Sequence, residues 1–178
     1  MTRAVLSIGS NLGDRLAHLQ SVVDGLGERV VAVSGVYATA PWGGVDQQDF
    51  LNAVVVADDP ELDCLAWLRL GQGLEAAAQR RREVRWGPRT LDVDVNTCGA
   101  PAAGSGQGPS AEVRSDPELT LPHPRAHERA FVLVPWLDVE PEATLDVAGE
   151  RRRIRDLLDG LDPTERAGVR RTDQVLTT

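Results

Sequence analysis

The sequence predicts an α+β fold, a mostly antiparallel sheet with helices packed on it. Three observations lead there. Short runs rich in β-branched residues interleave with longer segments whose apolar residues recur at helical spacing. Gly- and Pro-containing breaks separate them at nearly every junction. The length, 178 residues, suits one domain able to bury a core without metal or disulfide staples.

The elements follow in order. Residues 4–8 form an apolar run that stops at Gly9-Ser10-Asn11, a strand ending in a turn or cap. Leu16, Leu19, Val22, Val23 and Leu26 mark a helix by their spacing. Residues 30–37 and 50–56 read as two strands flanking the irregular loop Ala40-Pro41-Trp42-Gly43-Gly44-Val45. A second helix is expected from Leu62 to about Arg81, and a strand over 90–95 with one apolar and one acidic face. Residues 99–118 are rich in Gly, Ala, Ser and Pro and read as a mobile insertion. Order resumes at Leu119-Thr120-Leu121-Pro122-His123-Pro124, with helices expected over 129–137 and 154–161. The chain thus divides into one domain, 1–162, and an irregular tail, 163–178. The order β-α-β-β-α-β is that of a ferredoxin-like sandwich, and no internal repeat is visible.

Charge narrows the function. The net charge of −8 argues against a general nucleic-acid or membrane-surface binder. All 19 basic side chains are arginine, so a P-loop lysine, a kinase strand lysine and Schiff-base chemistry are excluded. Positive charge here is guanidinium, which grips phosphate with two hydrogen bonds at once. Cys64 and Cys98 are isolated, so neither a zinc site nor a disulfide is expected. The apolar run at the N-terminus is too short for a signal peptide, and no run reaches membrane-spanning length. A soluble protein of the reducing cytoplasm is expected.

The stretch RWGPRTLDVDV, residues 85–95, concentrates the chemistry. On a strand, residues i and i+2 share a face with Cα atoms ~6.5–7 Å apart, so Asp92 and Asp94 point the same way while Leu91, Val93 and Val95 face a core. Two like charges so close favour a cation between them, and oxygen ligands suit magnesium. Taken alone, alternating acids favour an ordinary amphipathic strand with its polar face in water. The arginines shift the balance: Arg80, Arg81, Arg82, Arg85 and Arg89 lie within ten residues. A helix C-terminus favours the first three, but not Arg89, stiffened by Trp86-Gly87-Pro88. Guanidiniums for phosphate oxygens beside carboxylates for bridging metals are the components of a phosphoryl-transfer site.

RWGPRTLDVDV resembles the signature of the 6-hydroxymethyl-7,8-dihydropterin pyrophosphokinase family. LSIGSNLGDR, YATAPWGGVDQQDFLNAVV and LPHPRAHERAFVLVPWLDVEPE resemble its other blocks, collinear over most of residues 4–142. The resemblance implies transfer of pyrophosphate from ATP to the pterin's hydroxymethyl group, in folate biosynthesis. It implies two Mg2+ ions held by Asp92 and Asp94, with Arg80, Arg82 and Arg89 joining them in catalysis. Glu75, Arg80, Arg82, Trp86, Arg89, His123 and Arg129 would hold ATP; Thr39, Trp42, Phe50, Asn52, Asp92 and Phe131 would hold the pterin. The expected partners are these two small molecules, with no nucleic acid and no membrane, for a monomer working near other folate-pathway enzymes.

The residue types agree with those roles. A flat, polar heterocycle needs ring faces for stacking and an amide such as Asn52 for its donor–acceptor edge. Only seven Phe, Tyr and Trp residues are present, so little aromatic surface is spare. Plain core packing also suits Phe50 and Phe131 singly, a turn cap suits His123, and a solvated helix face suits Glu75. Trp67 and Trp136 read as core. Three departures from the family pattern stand out: Gln79 where glycine is common, the polar Asn96-Thr97 that weakens the end of the acidic strand, and the 99–118 insertion. Two rival readings remain open, a non-catalytic nucleic-acid or nucleotide-binding regulatory module built on the arginines, and a ferredoxin-like small-molecule binding domain without turnover.

Overall fold

The computed structural model describes residues 1–41, 46–78, 90–101 and 110–178. The elements run β1 (Thr2–Ser10), α1 (Arg15–Leu26), β2 (Val30–Val33), β3 (Tyr37–Thr39), β4 (Phe50–Asp59), α2 (Cys64–Ala77), β5 (Asp92–Ala100), β6 (Ser110–Ala111), β7 (Arg114–Ser115) and β8 (Thr120–Leu121). They continue with α3 (Ala130–Val139), β9 (Thr144–Val147), β10 (Glu150–Arg153), α4 (Ile154–Asp159), α5 (Pro163–Ala167) and β11 (Arg170–Arg171). Asp14 and Asp63 cap α1 and α2, each accepting a hydrogen bond from the backbone three residues on.

The main sheet has the order β11-β3-β4-β1-β5-β6, with β2 also pairing to β4. Every pairing is antiparallel. The central order β3-β4-β1-β5 is the ferredoxin-like arrangement expected. Both faces of the sheet are covered. Leu6, Ile8, Leu51, Ala53, Val55, Val93 and Val95 pack against α1 and α2 around Trp67. Val5, Val54 and Val56 on the opposite face meet Val132, Leu133 and Trp136 of α3 and Ile154 and Leu157 of α4. The central strands therefore read as nearly continuous apolar runs, as strands buried on two sides do. No helix among the described residues is long and apolar enough to cross a membrane.

Four expectations need correction. The strand expected over 30–37 is two strands, because the Ser34 hydroxyl accepts the Val54 N–H while donating to the Gly35 carbonyl, which bends the chain between β2 and β3. The acidic strand does not weaken after Val95. It runs to Ala100, because a bulge opposite Val5 and Leu6 absorbs Asn96 and returns Cys98 to the α1–α2 face beside Ala4. Parts of the insertion are ordered: Ala111 pairs with Gly99, and β7 pairs with β8, where Arg114 forms an ion pair with Asp116. In the segment expected to be irregular, α5 forms, β11 joins the sheet beside β3, and Leu176 is buried.

The cysteines give a further correction. Cys64, first residue of α2, and Cys98 of β5 form a disulfide with Cα atoms 5.7 Å apart, both 1 % exposed. Spacing in the sequence could not reveal it, since 34 residues separate the pair and only the packing of α2 on β5 joins them. The inference of a reducing compartment from unpaired cysteines loses its support.

Alkylation of the denatured chain without reductant is expected to leave its mass unchanged, and to add two labels after reduction. Replacing both cysteines by serine should lower the urea unfolding free energy by about 2–4 kcal/mol, the scale for such a ring. Two labels without reductant would show that the thiols are separate.

Candidate active site

The α3 face of the sheet is apolar at its middle and polar toward one end, where antiparallel register assembles residues distant in sequence. Asp92 stands opposite Gly9, Gly9 opposite Asn52, and Asn52 opposite Tyr37, so one rung crosses four strands. The neighbouring rung runs Asp94, Ser7, Val54. Thr39 and Phe50 face each other one pair beyond Asn52. Strands lie ~4.8 Å apart, which puts Asn52 and Asp92 roughly 10 Å apart across Gly9.

Gly9 is the empty position between them. A Cβ there would lie 2.8 Å from Asn52 Oδ1 and 3.7 Å from the Phe50 ring. The Asn52 amide is 5 % exposed and oriented, its Nδ2 donating to Thr39 Oγ1 at 2.7 Å. The rung therefore carries an amide at one end and a carboxylate at the other, and only a glycine between them lets the Asn52 amide lie this close to the β1 backbone.

The start of α3 closes the face. Arg129, preceding the helix, approaches Asp94 with Nη1 3.6 Å from Oδ2, and its guanidinium lies 5.6 Å from the centroid of the Phe131 ring. Burial pulls the Arg129 pKa below the ordinary arginine value, while Asp94 and Asp92 oppose that shift. His123 is fixed by its backbone N–H, which donates to Asn96 O at 2.8 Å. Its Nδ1 accepts the Arg125 N–H at 3.2 Å, which leaves Nε2 as the protonated nitrogen. Burial, then the charges of Arg129 and Arg125, push the His123 pKa down to about 4. The ring is thus a neutral donor near pH 7.

Glu75 is not on a solvated helix face. It is 8 % exposed, and its Oε1 accepts the Val93 N–H at 2.9 Å, which ties α2 to the strand between the two aspartates. Of the residues expected to matter, Thr39, Phe50, Asn52, Asp92, Asp94, His123, Arg129 and Phe131 gather on or beside this end of the α3 face, with Glu75 behind it. Trp42, Arg80, Arg82, Trp86 and Arg89, with Arg81 and Arg85, lie outside the described residues.

Two positions carry more than the sequence reading gave them. Gly9 in a strand of Val, Leu and Ile was the available signal, since a strand glycine marks close approach of another group. Asn11 is 1 % exposed and donates through Nδ2 to Gln47 Oε1 at 2.8 Å and Gln48 O at 3.1 Å, fixing the chain as it returns toward Phe50.

Among the described residues no group of three or more His, Cys, Asp or Glu side chains surrounds a metal position. Two carboxylates alone make a poor closed cage, but they fit magnesium of the kind that takes its remaining ligands from phosphate and water.

Comparison with known proteins shows the family of the chain. The family model described as 7,8-dihydro-6-hydroxymethylpterin-pyrophosphokinase (HPPK) matches residues 5–141. A Mycobacterium leprae protein named 2-amino-4-hydroxy-6-hydroxymethyldihydropteridine pyrophosphokinase is 59% identical over 176 residues, 99% of this chain and 92% of that protein. A protein of the same name from Methylorubrum extorquens is 45% identical over 177 residues, 97% of this chain and all of that one. A crystal structure of Plasmodium falciparum HPPK-DHPS superposes with a TM-score of 0.60 over 89% of this chain at 14% identity, a likeness of fold. This chain spans 45% of that longer protein. With a match over most of its length and relatives this similar, the chain belongs to the 7,8-dihydro-6-hydroxymethylpterin-pyrophosphokinase family.

Proposed function

We propose that the chain performs the reaction for which its family is named, moving pyrophosphate from ATP to the hydroxymethyl group of 6-hydroxymethyl-7,8-dihydropterin in folate biosynthesis. The observation that carries this reading to particular residues is the rung Asn52–Gly9–Asp92 with Asp94 beside it. The pterin bicycle lies over the Gly9 backbone. Asn52, oriented by Thr39, pairs with its polar edge, Phe50 and Phe131 supply ring faces, and Trp42 completes the pocket. Its hydroxymethyl group then points toward the aspartates.

ATP approaches from the β5 side. His123 donates from Nε2, Arg129 supplies positive charge beside Asp94, and Arg80, Arg82, Trp86 and Arg89 complete the grip, with Glu75 holding β5 in place. Asp92 and Asp94 would hold two magnesium ions, which would neutralise the triphosphate. The pterin oxygen forms its bond to the β-phosphorus as the bond from that phosphorus to the α-phosphate oxygen breaks, and AMP departs. The pterin hydroxyl gives up its proton to water. No side chain is a strong general base, so the protein's part is positioning and charge. We take the chain to act as a monomer. We place it in the cytoplasm, where ATP is plentiful and burial shields the disulfide from reductants.

Mixing the protein with ATP, magnesium and hydroxymethyldihydropterin should yield AMP one-for-one with pterin diphosphate. Asp92→Ala or Asp94→Ala should lower turnover by roughly 10³-fold or more at saturating magnesium, with the fold retained. Stoichiometric ADP would refute pyrophosphate transfer, and near-normal turnover in either variant would remove that residue from the metal site.

Gly9→Ala drives a methyl group into the Asn52 amide, so calorimetry should show pterin affinity reduced by about 1–3 kcal/mol with ATP binding little changed. Equal pterin affinity in the variant would mean that the strip over Gly9 is not the pterin floor.

The His123 pKa, about 4 in the folded chain, lies below its ordinary value of 6.5. Between those values the unfolded chain binds the extra proton. Stability is therefore complete above 6.5, falls as pH drops toward 4, and levels below it. His123→Gln should flatten the urea-unfolding stability profile across that window, and parallel profiles for the two proteins would disprove a neutral, half-buried His123.

A further inference from the structure

Apart from Asp92 on β5, the described side chains assigned to the pterin come from three elements: β3 bears Thr39, the start of β4 bears Phe50 and Asn52, and α3 bears Phe131. One segment far along the chain touches all three. Strand β11 pairs with β3, setting Arg170 against Ala38 and Arg171 against Tyr37. The next residue extends the pairing, since both the Thr172 N–H and the Thr172 hydroxyl donate to Val36 O, at 2.9 and 2.8 Å. Without β11, β3 would be a three-residue edge strand held on one side by β4 alone.

The two arginines reach the other elements. Arg170 Nη2 donates to Asp49 Oδ2 at 2.7 Å, one residue before Phe50, and Arg15 Nη1 holds the Asp49 carbonyl at 2.9 Å. Arg171 lies over the Tyr37 ring, 5.7 Å from its centroid, with Nη1 3.3 Å from the Tyr37 hydroxyl and 3.5 Å from Asp138 Oδ2 on α3. The Tyr37 hydroxyl donates to the same Asp138 oxygen at 2.7 Å. Gly35 leaves the space that this stack occupies, since a Cβ there would lie 2.8 Å from Arg171 Nη2. Beyond it the chain is pinned by buried Leu176 and by Thr177, whose N–H donates to Gln20 Oε1 at 2.9 Å.

We infer that the C-terminal segment 170–177 is a strap that sets the width and depth of the pterin pocket, with Arg170 and Arg171 as positioning residues that never touch substrate. This rests on the assignment of Thr39, Phe50 and Phe131 to the pterin. Exposed ion pairs count for little in stability when taken singly. Their contribution here is geometric. They lock the mutual placement of three elements whose side chains must meet one rigid ligand, and small displacements at such contacts are costly for binding. Among the described residues, β5, α2 and His123 share no hydrogen bond or ion pair with residues 170–177; Leu176 meets that side only through the common apolar core and Arg129 only through α3, so the two substrates should respond differently.

The test uses the full-length chain with Arg171→Ala, Arg170→Ala/Arg171→Ala and Arg171→Lys, measuring the Kd of the pterin, the Kd of magnesium–ATP alone and Tm. The alanine variants should bind pterin roughly two- to thirtyfold more weakly, the double variant most. ATP affinity should stay within about twofold. Arg171→Lys, which keeps charge but not the planar stack, should fall between wild type and Arg171→Ala. Unchanged pterin affinity would overturn the inference, as would parallel losses for both substrates that follow Tm, the mark of a merely structural role. Asn52→Ala separates the two levels. Should it weaken pterin binding while the arginine variants do not, the strap fails and the pocket stands. Should it leave pterin binding intact, the pocket assignment itself fails.

Discussion

The register between β4, β1 and β5 is the constraint from which the rest follows. These strands are buried on both faces, so a slip of one residue would carry Leu6 and Ile8 to the α3 side and turn Asn52 or the two aspartates into the α1–α2 core. Burying a carboxylate without a partner is far more costly than any misfit among methyl groups. The charged end of the site thus helps to specify the fold that presents it. One bulge, opposite Val5 and Leu6, allows β5 to keep its acids on one face and still bring Cys98 to the other.

Much of this was legible in the chain, and the reasons differ by feature. The central strands and first two helices announce themselves because their patterns are local: β-branched runs bounded by Gly or Asn, then apolar residues at helical spacing. Asp92 and Asp94 are legible because alternation on a strand is a two-residue rule. Glu75 is not, because nothing near it in sequence distinguishes a solvated glutamate from one that accepts a backbone N–H of a strand 18 residues later. The disulfide, the pairing of β11 with β3 and the break at Ser34 share that property, since each is made by contacts between segments far apart. His123 lies between: its two prolines suggest a constrained loop and Arg125 and Arg129 stand nearby in the sequence, but the burial that contributes most to its neutrality comes only with the fold.

The site divides its labour between shape and charge. At the Asn52 end, discrimination comes from one amide, the hydroxyl that orients it and the absence of a side chain at Gly9. At the Asp94 end, Arg129 sits between a ring and a carboxylate, so an arriving triphosphate meets a cation already partly stripped of water. Such a guanidinium needs little rearrangement to exchange a carboxylate partner for a phosphate one.

The Cys64–Cys98 bond closes a covalent ring around residues 64–98, and that ring contains α2, both aspartates and all five clustered arginines. A single cut by a protease anywhere inside it would leave one molecule rather than two fragments. Outside Cys98 come His123 and Arg129, so the proposed ATP-binding residues fall into two topological classes, those enclosed by the ring and those threaded after it. Mass analysis of nicked protein, with and without reductant, can therefore tell on which side of that boundary a cleavage fell.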